Sequence, residues 1–215
     1  MTAIVDHKWG GLARRYEEFR RGTHRSIDPV ESTRIAFPTA LFYENWLLRR
    51  FDPAVDKVFV SSRITFGPPG QVVAATPDLD IHFVDGRRLF DQVVKDGAID
   101  EVNARRLRKL AAYLDCEHAM RTASEIRRDP KLIHSLRHLR QAMVAYDGLA
   151  EETMTAIAKF LRSHEETTVG ELRAKLADFE DEQIDAALGH MHVSGTAHLQ
   201  LNGIEYGRHV IVRSL

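Results

Sequence analysis

The stretch Thr76–Lys95, TPDLDIHFVDGRRLFDQVVK, constrains the fold of this chain more than any other. TPDLDIHF alternates as a half-buried strand does, Asp85-Gly86 is a strong two-residue turn signal, and Arg88–Lys95 is a second β-rich run. The pattern predicts an antiparallel hairpin. Side chains alternate at period two, so Asp91, Val93 and Lys95 are expected on one face, with Gln92 and Val94 on the other. Asp80 shares a face with Asp78 in this reading.

A carboxylate entering the first strand (Asp78) and a lysine late in the second (Lys95) resemble the skeleton of the PD-(D/E)xK nuclease site. Such a site uses two or three carboxylates to hold Mg²⁺ and a lysine to orient or activate the attacking water. The acid expected two residues before the lysine is absent, and Val93 stands there. Asp91 shares its face but lies one residue pair, roughly 6–7 Å, further along. Gln92 would need a bulge to join the site. The resemblance also implies a helical glutamate packed against the sheet as the first ligand. Residues 36–51, AFPTALFYENWLLRRF, form an apolar helix that stops before Asp52-Pro53, and Glu44 is its only acid. The implied metal set is thus Glu44, Asp78 and Asp91, with Lys95 and Gln92 as catalytic candidates and Asp80 as a spare ligand.

Between these elements, 54–66 reads as one strand region and GPPGQ (67–71) as a turn. No apolar run is long enough to span a bilayer, and the N-terminus lacks the apolar core of a signal peptide. The single cysteine, Cys116, excludes an internal disulfide and a Cys-rich zinc site; it reads as a small packing residue in a reducing, cytoplasmic protein. There is no glycine-rich phosphate loop, no GxSxG and no HExxH, so nucleotide hydrolysis, serine hydrolysis and zinc proteolysis have no support.

The net charge of −1 conceals a split, with 24 Lys+Arg against 20 Asp+Glu over residues 1–150 and 6 against 11 over 151–215. In the first 29 residues Leu12, Tyr16 and Phe19 fall at helical spacing among arginines, which predicts a basic arm with Arg14 and Arg15 on nucleic-acid phosphates. Residues 101–140 carry ten Lys/Arg against five acids. There Arg127, Arg128, Lys131, Arg137 and Arg140 are expected to form a phosphate-contacting face. Residues 151–215 read as a winged helix: three helices, Thr168 capping the second, then a wing turning at Asn202-Gly203. Its third helix opens with Glu180, Asp181, Glu182 and Asp185, four acids where a DNA-reading helix needs the opposite charge, so protein docking is expected instead. His190 and His192, two apart, cannot share a helix face as a metal pair.

From about Phe37 to the C-terminus the chain resembles the TnsA-type endonuclease family, the nuclease subunit of heteromeric transposases. The resemblance rests on an apolar helix ending in RRFDPAV, on TPDLDIHFVDGRR before a strand ending in lysine, on SEIRRDPKLIHSLRHL, and on the C-terminal winged helix. It implies metal-dependent cutting at transposon 5′ ends, in concert with a DDE transposase and an AAA+ regulator, with the winged helix contacting a partner. Asp78 matches the family's aspartate ligand and Lys95 its lysine. The family glutamate falls near Phe42, two residues from Glu44, and the family acid or glutamine before the lysine is Val93.

The expected fold is therefore α/β: a basic arm (1–29), a restriction-endonuclease-like core (30–150) and a winged helix (151–215). The expected function is a TnsA-like, DNA-associated subunit with a degenerate nuclease site, binding double-stranded DNA through its N-terminal domain and a transposase-type or AAA+ protein through its winged helix. An active Mg²⁺-dependent endonuclease and a winged-helix transcription factor are the alternatives.

Overall fold

The structure is a computed structural model and describes residues 24–67, 72–94 and 99–215, with the backbone of residues 4–6. It is a mixed α/β fold of two units, the first comprising Met1–Arg25, Ala36–Arg50 and Ala54–Arg128, the second Ser26–Ile35, Phe51–Pro53 and Asp129–Leu215. The predicted helix over 36–51 is α1 (Ala40–Arg50), which buries Leu41, Tyr43, Trp46 and Leu47. Arg49 and Arg50 in its last turn suit the negative end of the helix dipole. The strand region expected over 54–66 is two strands, β4 (Val55–Val60) and β5 (Arg63–Phe66). Ser61, at φ 50, turns the chain between them, so they join different sheets. Before them, β2 (His24–Asp28) and β3 (Thr33–Phe37) pair as a hairpin.

The central hairpin forms from β7 (Leu79–Phe83) and β8 (Arg88–Val94) in the register Leu79↔Asp91 to His82↔Arg88. Its loop differs from the expected two-residue turn. The Phe83 amide donates to the Arg87 carbonyl and the Gly86 amide to the Phe83 carbonyl, so the loop is Val84-Asp85-Gly86. Gly86 takes φ 87, the left-handed position that such three-residue loops reserve for glycine. The Asp85 carboxylate accepts the Arg87 amide and guanidinium, which fixes the turn from outside.

A parallel neighbour of β8 requires a crossover. The chain supplies it as α2 (Glu101–Leu114), capped by Asp100 and ended by left-handed Asp115, and returns as β9 (Glu117–Thr122). The sheet order is β4-β7-β8-β9, with the last pair parallel and the others antiparallel. β1 (Ile4–Asp6), β5 and β6 (Val73–Ala75) make a separate sheet. Leu107, Leu110 and Ala111 of α2 pack with Ile64, Phe66, Ala75 and Phe90 in one core. Cys116 packs against it, and burial pushes its thiol up to about 11, as expected of a packing residue. On the opposite face of β8, Val93 packs with Leu41 of α1 and Ile126 of α3 (Ala123–Ile126).

In the second unit α4 (Pro130–Ala145) starts on the Asp129 cap with proline in its first turn. It is followed by α5 (Ala150–Leu161), β10 (Glu166–Thr168), α6 (Val169–Lys175), α7 (Asp181–Val193), β11 (Ala197–Leu199) and β12 (Ile211–Ser214). The strands order β10-β12-β11, both pairs antiparallel. Thr168 caps α6 in a capping box with Glu171, as its position predicts. Asn202-Gly203 does turn the chain, with Gly203 at φ 71, but it is not a hairpin turn. The chain reaches β12 only at Ile211, because the intervening loop is held elsewhere: Gly203 donates to Asp129, and Tyr206 bonds to Ser135 and Asp185.

α4 groups with the C-terminal elements in the second unit, which includes Asp129–Leu215. The physical reason is its packing on α7. Gly189 sits so close to α4 that an added Cβ would lie 2.7 Å from Met143 Sδ. Gly189→Ala gains about 1 kcal/mol of helix propensity but overpacks a core that tolerates such insertions only at about 1–3 kcal/mol. With Met143 fully buried, the net is an expected loss of about 1 kcal/mol, read as a lower thermal midpoint. No helix among the described residues is long and apolar enough to cross a membrane.

Candidate functional site

The register of β8 decides which acids can meet. Asp91 and Val93 face α1, and Phe90 faces α2, as the alternation of Asp91, Val93 and Gln92 predicts. Gln92 therefore lies on the α2 side with Phe90, buried, its Oε1 without a hydrogen-bond partner among the described residues. Asp80, the cross-strand partner of Phe90, is on that side too. Arg88 grips it with two hydrogen bonds of 2.8 and 2.6 Å. Burial would raise its pKa, but Arg88 and His82 outweigh that and hold the carboxyl below the usual range. Neither Gln92 nor Asp80 shares the face of Asp91.

Each acid implied as a ligand has an identified partner. Asp91, fully buried, accepts Arg49 Nε at 2.9 Å and the Asn45 side chain at 3.3 Å. Glu44, 7% exposed, accepts Arg127 Nε at 2.7 Å. Asp78 stands just before β7, where its Oδ2 accepts the Val93 amide at 2.7 Å and its own amide donates to the Asp91 carbonyl at 3.0 Å. Thus Asp78 touches the end of the ladder beside Val93, while Val93 itself, 7% exposed, belongs to an apolar cluster. Mg²⁺ is held through several carboxylate oxygens with water completing the shell. These carboxylates hold guanidinium, amide and peptide N–H groups instead, and a valine fills the remaining position. Among the described residues no group of three or more His, Cys, Asp or Glu side chains is placed to hold a metal ion, although Asp91 Oδ1 is buried without a hydrogen-bond partner among them. Lys95 lies outside the described residues.

Sequence reading missed Arg49 and Arg121 here and assigned Arg127 to phosphate contact. Arg49 shares a helical face with Leu41, Glu44 and Asn45 at i, i+3/i+4 and i+7/i+8 spacing, a signal that was available. Arg121 was not legible. It is the parallel partner of Val93 on β9, so it flanks the position where the nuclease resemblance implies an acid, and among the described residues its Nε is buried without a hydrogen bond. Chain order alone gives no hint of that pairing.

The predicted phosphate-contacting face is divided. Arg127 is the partner of Glu44, and Arg137 and Arg140 each engage another group of the chain. Arg128 and Lys131 are exposed but fall in different units. Arg14 and Arg15, with the rest of the predicted basic helix, lie outside the described residues.

The acids of α7 need a correction. Asp185 is 1% exposed and cannot repel a ligand at the surface. It accepts two hydrogen bonds from Arg173 (2.7 and 2.8 Å) and one from the Tyr206 hydroxyl (2.8 Å), with His138 Nε2 at 2.8 Å. Arg173 also pairs with Asp181 at 3.0 Å, and Glu180 accepts the Tyr146 hydroxyl. His192 is buried and takes the Leu199 amide on Nδ1. In comparison with known proteins, no protein-family model and no curated protein matches this chain.

Proposed function

We propose that this chain is a DNA-associated subunit of a transposition or related DNA-processing complex, built on a nuclease-like sheet whose catalytic site is degenerate. One observation carries the reading of degeneracy: the three acids implied as ligands, Glu44, Asp91 and Asp78, are engaged by Arg127, by Arg49 with Asn45, and by the Val93 amide. The order α1, β4, β7, β8, α2, β9, with the Asp78 carboxylate at the β7–β8 ladder end, supports the nuclease-like ancestry. The run α5-β10-α6-α7-β11-β12, with β12 between the other two strands, supports a winged helix in the second unit. Its acidic face, now Glu180, Asp181 and Glu182, remains a poor match for phosphates and suits a protein partner of the transposase or AAA+ type.

The test is nicking of supercoiled and transposon-end DNA in Mg²⁺ and in Mn²⁺, with wild type, Asp78→Ala and Lys95→Ala side by side. No cleavage by any of them, with DNA binding intact in Asp78→Ala, is expected. Cleavage by wild type that Asp78→Ala and Lys95→Ala both abolish would establish the active endonuclease instead.

A further inference from the structure

We infer that the exposed stripe Arg105, Arg106 and Lys109 on α2 is a contact surface for the phosphate backbone of duplex DNA. This deepens the proposed function and rests on it, since it supplies the surface by which a DNA-associated subunit would hold its substrate.

The stripe is defined by what the opposite face of α2 does. Ala104, Leu107, Leu110 and Ala111 are buried, the last three in one core with Phe90, Ile64, Phe66 and Ala75. A 3.6-residue period then sends 105, 106 and 109 outward, and all three are exposed. Among the described residues none of them has a hydrogen-bond or ion-pair partner, in contrast to Arg127, Arg49, Arg88 and Arg173, which are all paired with carboxylates. The acids at the start of α2 are already engaged. Asp100 caps the Asn103 amide, and Glu101 lies 3.5 Å from the Arg108 guanidinium.

Arg105 and Lys109 are separated by four residues of helix, about 6 Å of rise, and Arg106 sits beside them. One DNA strand carries a charge about every 3.4 Å of axis, so long cations at this spacing reach neighbouring phosphates of one strand. An exposed cation gains little from a surface carboxylate in water. It gains more from a polyanion, where each contact releases condensed counterions. The same chemistry makes the contact independent of sequence, as a subunit whose position is set by its partners requires.

The test is fluorescence anisotropy of the full chain with a labelled mixed-sequence duplex across a KCl series. Wild type is compared with Arg105→Gln/Arg106→Gln/Lys109→Gln and with Arg128→Gln/Lys131→Gln. Thermal melts check that the exposed substitutions leave folding unchanged. The triple variant is expected to bind at least about ten-fold more weakly at low salt, with the log–log salt slope reduced by roughly 2–3. The double variant should change less on both measures. Wild-type binding that the triple variant retains in affinity and slope would overturn this inference and leave DNA association standing. Absence of duplex binding by wild type would overturn the reading on which it rests, and the stripe with it.

Discussion

Asp185→Ala is expected to destabilise the C-terminal unit by about 3 kcal/mol or more, the cost of removing one member of a buried ionic network. Asp185 is the common acceptor for Arg173, Tyr206 and His138, so its loss removes the shared partner of donors from α6, α4 and the loop before β12. An orphaned buried donor costs its desolvation, about 1–3 kcal/mol and more for a charge, which applies to Tyr206 and Arg173, whereas His138, 44% exposed, turns to water. Arg173 keeps Asp181 at 3.0 Å, which offsets part of this. Asp181→Ala is the control: that side chain is 50% exposed, and its pair with Arg173 is worth less than about 1 kcal/mol. The measurement is urea denaturation with hydrogen exchange read at α7 amides, which isolates this unit. Equal small losses for the two variants would show that the network contributes no more than a surface pair.

The second large effect is a loss of stability in mild acid, centred on His192. Burial, assisted by His198 nearby, drops its pKa from 6.5 to about 4. A histidine whose folded pKa is depressed contributes stability that is present above the unfolded value and lost as pH falls. The window here is pH 6.5 down to about 4. The shift corresponds to about 3 kcal/mol in full, of which about 2–3 should be gone by about pH 4.5. His190 shifts in the same direction by burial, so the decisive comparison is with a variant.

His192→Asn retains an acceptor for the Leu199 amide but cannot titrate; it should flatten most of the acid dependence, and an unchanged slope would remove His192 as the cause. The Asp185–His138 pair does not confuse this window. Asp185 is held below its usual value: burial would raise it, but bonds from His138, Arg173 and Tyr206 prevail, so its contribution goes only at lower pH. His138 is raised by that bond, so its contribution is complete below 6.5 and is lost as pH rises through its folded value. The unit should be most stable from about pH 6.5 up to the raised folded value of His138.

Much of the local structure was legible in the chain. The alternation through Thr76–Val94, the apolar period of 36–51 and the Thr168 capping box produced the hairpin, α1 and α6 close to where they were read. Each depends on residues a few positions apart, where backbone geometry fixes the outcome. The details that failed were set by single residues in unusual conformations or by distant partners. Ser61 at φ 50 cuts a strand region in two, and the loop after Asn202-Gly203 is pulled away from hairpin geometry by Asp129 and Ser135.

The sequence by itself determined where the acids of the candidate site fall and which strand face each takes, because a period of two leaves no choice once the strand is set. It also placed Val93 where the nuclease resemblance implies an acid. Only the tertiary structure decided what those acids do. Arg127 lies 83 residues from Glu44, and Arg49 lies 42 residues from Asp91. A buried carboxylate must be neutralised by something, a metal or a cation, and both alternatives leave the same mark on the acid's own position. Which cation arrives is fixed by how α1, β9 and α3 pack against β8, and that is a property of the fold and not of any one segment.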